Sequence, residues 1–263
     1  MRWTALAALL LLANAAPLTA QSNDPAAEFA RASTALIGRL GTVQSEQAAV
    51  GMADAATRSN LETIDSAMNL FGSAAFPVNG LNSFDEVCGR LNALNVRYAL
   101  DGLAAYRRAG GSVDGPAMLR FGGRNVARFQ DETALLTDRL VQCQAQHMPA
   151  LVALMASLPA DQLTETRISG LRSLRQGTAG MILGVMINAR DGTMRPGNRA
   201  RLLASAARWI EPLARQMTVE GRQALRGQIS ALRPALTGEA LTQQNVVLAA
   251  LANADCVELC LIS

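Results

Sequence analysis

The chain contains no lysine, one histidine (His147) and only 4% aromatic residues. Each scarcity excludes something. Acid–base and nucleophilic catalysis near neutral pH draws mostly on His, Lys and poised Cys, so an enzyme built here would rest on carboxylates, Arg and His147 alone. A Ser-His-Asp site would have to use His147, and no G-x-S-x-G elbow is present. Few aromatics leave few platforms for sugars or bases, which argues against a glycan cleft and against nucleic-acid binding. Sustained period-2 alternation is missing too, so strands are not expected. No apolar run reaches the roughly 20 residues that a membrane-spanning helix needs.

What is present points to export. The opening MRWTALAALLLLANAAPLTA has Arg2, an apolar run from Ala5 to Ala13, Pro17 and a small-residue end. That order reads as a secretory signal peptide over residues 1–20, cut after Ala20, with a second site after Ala15. Sec-type export to a periplasm is expected, with an extracellular location as the alternative. Residues 21–263 form the exported helical domain, with a subdivision placed at 149–160 between an N-terminal half and an Arg-rich C-terminal half. Hydrophobic residues make up 50% of the chain, ample for a core. The mature protein is expected to be soluble.

Four cysteines in an exported chain imply two disulfides, for which three connectivities exist. We expect Cys88 with Cys143, stapling two helices, and Cys256 with Cys260, which requires a non-helical tail. A helical tail would favour crossed pairing instead. The same residues allow a weaker alternative, a metal site from Cys143, His147, Cys256 and Cys260. An oxidising compartment and the lack of C-x-x-C spacing speak against it. No cofactor or metal is expected.

Helix signals recur. Asp24-Pro25 starts a first helix carrying Phe29, Leu36, Ile37 and Leu40, expected to reach Thr57, and a second is expected from Leu61 to Leu70. Ser83 and Glu86 form a capping box that places a helix start at Phe84, with Cys88 on its inner face. After Gly115-Pro116 one long pattern runs to His147 and stops ahead of Pro149, with Cys143 inside. A short helix over 150–158 precedes one from Asp161 to Asn188, in which Gly177, Gly180 and Gly184 are read as sites of close approach by a neighbour. Helices from Asn198 to Met217, from the Thr218 cap to Leu236, and from the Thr237 cap through 241–251 complete an all-α, irregular bundle of roughly eight helices, stapled by disulfides.

Charge is uneven. Between residues 161 and 236 twelve Arg stand against five acids, a net of +7, whereas residues 21–160 hold eleven Arg and thirteen acids. Arg201, Arg208, Arg215 and Arg222 fall seven apart, and Arg226 and Arg233 repeat that spacing. Together they are a candidate contact surface for an envelope protein, an anionic lipid or a polysaccharide. Acid pairs that could serve a hydrolase are Asp85 with Glu86 and Asp131 with Glu132, besides the single Glu165. Taken together, the residues point to an exported, non-catalytic adaptor or accessory subunit of a cell-envelope assembly. The first alternative is a binding module for a lipid or other apolar or anionic ligand, and the second an envelope glycan hydrolase.

Overall fold

A computed structural model of the chain describes residues 24–255. The expected signal peptide, its cleavage sites, and Cys256 and Cys260 lie outside the described residues. Ten α-helices make up the described fold: α1 (Pro25–Leu40), α2 (Ala55–Met68), α3 (Leu81–Ala99), α4 (Leu103–Arg108), α5 (Gly115–Arg128), α6 (Gln130–Ser157), α7 (Glu165–Asn188), α8 (Pro196–Ala214), α9 (Val219–Ala231) and α10 (Gly238–Asn253). Among the described residues the only extended pairing is an isolated bridge between Phe71 and Phe76. None of these helices is long and apolar enough to cross a membrane. The all-α irregular bundle is therefore as expected, with more helices than the pattern suggested.

Side-chain caps set several ends. Asp24 accepts from the Ala26 N–H, Asp54 from Thr57, Asp114 from Ala117, Thr164 from Arg167 and Thr218 from Gly221, each satisfying a backbone donor that the first helical turn leaves open. The central strut is α6, which packs along α3 on one side and α8 on the other, while α1 lies on α2 and α10 on α8. Two hydrophobic cores meet along it. One gathers Phe29, Leu36, Leu61, Phe84, Leu91, Tyr98 and Leu136, and the other Val141, Met148, Ile182, Met186, Leu203, Ile210 and Val247. Cys88 and Cys143 join α3 to α6, with Cα atoms 5.6 Å apart, the pairing expected from their inward faces.

Several helix boundaries depart from the sequence reading, α9 among them, which ends at Ala231 rather than Leu236, and the larger departures have visible reasons. The first helix ends at Leu40, not Thr57, because Gly41 turns the chain at φ 66° and polar side chains then hold residues 40–52 in a loop. Arg97 donates to the Leu40 and Gln47 carbonyls, Asp101 accepts from the Ala49 N–H, and Tyr98 donates to the Val50 carbonyl. Met52 N–H is held by Glu132. Consequently α2 begins at the Asp54 cap, ahead of Leu61.

The capping box at Ser83 is not used. Helix α3 starts at Leu81 behind Gly80, whose φ of 97° suits glycine, and Glu86 pairs with Arg90 at 3.0 Å. The single long helix expected after Pro116 breaks at Phe129, whose ring is buried against Tyr98 at 5.1 Å and carries the Arg128 guanidinium over its face. Conversely, α6 runs through Pro149, where a stop was expected. The ring nitrogen cannot donate to the carbonyl four residues back, but Ala145, Met148, Val152 and Met155 bury the helix on both sides of that gap. Residues 149–160, where a subdivision was expected, span the end of α6 and the turn after it.

Candidate functional site

Helix α7 shows which surface is open. Its glycines do not receive a close neighbour, contrary to the sequence reading: a Cβ added at Gly177, Gly180 or Gly184 would meet nothing within 4 Å. Gly177 and Gly184 fall seven residues apart, on the same face as Leu174, Met181 and Val185. That face stands off from α3 and α6 and walls two cavities of about 370 Å³ and 320 Å³. Asn92, Leu140, Gly177 and Met181 line both, so the cavities are two ends of one groove, with α3 and α7 as walls and α6 as floor. Each volume is in the range of small-molecule sites, roughly 300–1,000 Å³.

The two ends differ. Beside Met181 and Val185 the lining is aliphatic, with amides and hydroxyls from Asn95, Thr137 and Asn188 along it. The other end holds Asp85, Gln144, His147, Ser173 and Thr178. His147 comes from the last turns of α6 before Pro149, and its ring stacks on Phe84 with centroids 5.4 Å apart. Its Nε2 lies 3.3 Å from Asp85 Oδ1, while Nδ1 is buried without a partner. Burial holds the imidazole pKa below its ordinary 6.5, opposed in part by the Asp85 carboxylate. Gln144 Oε1, three residues earlier, is a second buried acceptor lacking a donor. His147 is thus not a satisfied core residue. It is half of a polar pair at the end of a groove.

The Arg series is divided among different tasks. Arg201 binds Asp138 at 2.9 Å and also Asp65, in a cluster with Arg139 that ties α8 to α6 and α2. Arg222 is buried and donates to the Ala254 carbonyl at the end of α10. Arg208, Arg215, Arg226 and Arg233 are exposed, with Arg215 paired to Glu211 at 2.6 Å. Heptad spacing alone could not separate the four outer residues from the two inner ones.

The carboxylates considered for hydrolysis have partners as well. Glu86 pairs with Arg90, Glu165 with Arg172, and Asp131 with Arg195, while Glu132 is buried on the Met52 N–H. Cys143 is bonded to Cys88, which removes it from the metal alternative. Among the described residues no group of three or more His, Cys, Asp and Glu could hold a metal ion.

Sequence reasoning missed Asn92, Asn95 and Gln144 as site residues, and considered Asp85 only as half of an acid pair with Glu86. The one available signal was the pair of glycines at positions 177 and 184 flanking Met181 on a single helical face. Neither a family model, nor a curated protein, nor a solved structure matches the chain.

Proposed function

We propose that the chain is an exported binding module that holds an amphiphilic small molecule in the groove between α3, α6 and α7. The observation that carries this reading is the bare wall of α7. Glycine in a helix interior costs about 0.5–1 kcal/mol relative to alanine, yet Gly177 and Gly184 meet no neighbour whose approach would require them. They keep open a groove that is aliphatic at one end and polar at the other. Such a pocket binds through its apolar area and takes its orientation from a few polar groups.

Native mass spectrometry of the mature protein purified from its own envelope fraction is the direct test. We expect a retained small-molecule mass that is lost when Gly177→Leu fills the groove. A chain that carries no added mass, and whose thermal stability does not respond to amphiphiles of any charge, overturns the reading.

An adaptor role within an envelope assembly is the second reading. It draws on the exposed Arg208 and Arg226, which make no ion pair among the described residues. Partner retention through these residues would fall steeply between low and moderate salt, since screening acts within about 10 Å at 0.1 M. Retention indifferent to salt sinks it.

A further inference from the structure

The polar end of the groove has a specific deficit: two of its buried acceptors have no donor. The His147 Nε2–H faces Asp85, which leaves the Nδ1 lone pair of the neutral ring exposed to nothing but the interior. Were the ring turned over, the other nitrogen would be left in the same position. Gln144 Oε1 lies one helical step away on the same face of α6, also without a donor. Native interiors rarely leave such atoms unpaired, because an unmade hydrogen bond forfeits the full cost of desolvation. Asp85, on α3, supplies a carboxylate beside them, and its side chain remains 67% exposed.

Charge sharpens the deficit. The chain has 24 arginines, and among the described residues none lines either end of the groove. Among the described residues Asp85 is the one charged residue lining the polar end, and the aliphatic end has none. A carboxylate or phosphate placed here would face Asp85 and two lone pairs with no cation to meet it, an arrangement that desolvation strongly penalises. A protonated primary amine fits the opposite way. It brings three N–H donors and one positive charge to three acceptors, one of them anionic.

Building on the groove proposed above, we infer that its ligand is a cationic amphiphile whose primary ammonium group sits at His147, Gln144 and Asp85 and whose apolar body runs past Met181 toward Val185. The sequence alone points a binding module toward a lipid or other apolar or anionic ligand; the groove's charge favours a cation instead.

Titration calorimetry of the full mature chain with dodecylamine, dodecanoate and dodecyltrimethylammonium, each below its micelle concentration, decides it. Dodecylamine is expected to bind at least about ten-fold more tightly than either of the others, the equivalent of one charge-assisted hydrogen bond. Asp85→Asn, at a side chain 67% exposed, should weaken dodecylamine about ten-fold and leave dodecanoate unchanged or tighter. Gln144→Leu should weaken the amine without affecting the trimethylated probe, which has no N–H to donate. Equal or tighter binding of dodecanoate, equal binding of the trimethylated probe, or an Asp85→Asn variant with unaltered preference each overturns the inference. If dodecanoate binds best and Gly177→Leu abolishes that binding, the groove stands and only the ligand class falls. If no probe binds, and the envelope-purified protein also carries no added mass, both fall.

Discussion

The two cores that meet along α6 are made of different materials. All six Phe and both Tyr lie between residues 29 and 129, so the N-terminal core packs rings edge to face, as Phe71 does against Phe76 and Phe84. The C-terminal core is aliphatic and rich in methionine, with Met148, Met155, Met186, Met194 and Met217 buried and Trp209 packed at its edge. Buried charge follows the same division. Arg97 meets Asp101 at 2.7 Å in the N-terminal half, whereas Arg190 and Arg222 in the other half hold main-chain carbonyls. Rings and ion pairs fix one geometry, while unbranched thioethers repack readily. The groove lies on the seam, with α3 belonging to the rigid core and α7 to the adaptable one. A binding site gains from that pairing: one wall orients the polar group and the other adjusts to the body of the ligand.

The strongest way to break this contrast is at Arg97. Its guanidinium and the Asp101 carboxylate are each 3% exposed, and it also secures the loop after α1 through two carbonyls. Arg97→Met should cost about 3–5 kcal/mol, because a buried carboxylate and two carbonyls lose their partner. Arg128, 3.3 Å from Asp101, limits the loss. Trp209 is the only tryptophan after Trp3 and reports on the C-terminal core. If the cores unfold as one unit, its fluorescence midpoint in urea moves together with the circular dichroism midpoint. A Trp209 transition left in place by Arg97→Met would show two independent units.

Removing the Cys88–Cys143 link comes next. It closes a loop of 55 residues, for which the chain-entropy account gives about 4 kcal/mol and measured bridges about 2–4 kcal/mol. A Cys88→Ala/Cys143→Ala variant should lose that much in urea unfolding. A loss under about 1 kcal/mol would mean that helix packing already fixes α3 on α6.

Acid offers a smaller and more local probe. The folded-state pKa of His147 is lowered, so in acid the unfolded chain takes up a proton that the native chain resists. This contribution is complete above pH 6.5 and is lost as pH falls from there through the depressed folded value. Asp54, Asp114 and Asp191 are held below 3.8 by hydrogen bonds from neighbouring groups, so their effects come at lower pH. Since His147 is the only histidine, His147→Phe should flatten the stability profile as pH falls below 6.5. An unchanged slope would place the titrating group elsewhere.

Much of the fold was legible because it depends on local chemistry. The Asp24 and Thr218 caps, the helical periodicity and the inward cysteines of α3 and α6 all read correctly from neighbouring residues. The misreadings share a cause, which is that distant side chains overrule local preference. Residues 42–52 continue a helical pattern, yet Arg97 on α3, Asp101 in the turn after it and Glu132 on α6 hold their backbone open. Pro149 marks a stop that burial overrides. In the site, His147 and Asp85 are 62 positions apart, and their meeting depends on how α3 lies on α6. The even spacing of the Arg series concealed that Arg201 and Arg222 turn inward. No pattern within one helix records which neighbour its face will meet.

The glycines of α7 give the finest comparison, because two of them differ in one respect only. Gly180 and Gly177 are both exposed helical residues with open space around them, but Gly177 lines the groove and Gly180 does not. Gly180→Ala should stabilise the chain by about 0.5–1 kcal/mol, through lower backbone entropy in the unfolded state, and leave ligand retention intact. Gly177→Leu should recover a similar helix preference while displacing the ligand. Measured side by side by thermal unfolding and by retained mass, the pair separates propensity from function. If both variants gain stability and both keep the ligand, the bare face of α7 has no part in binding, and the adaptable wall of the groove must be sought on another helix.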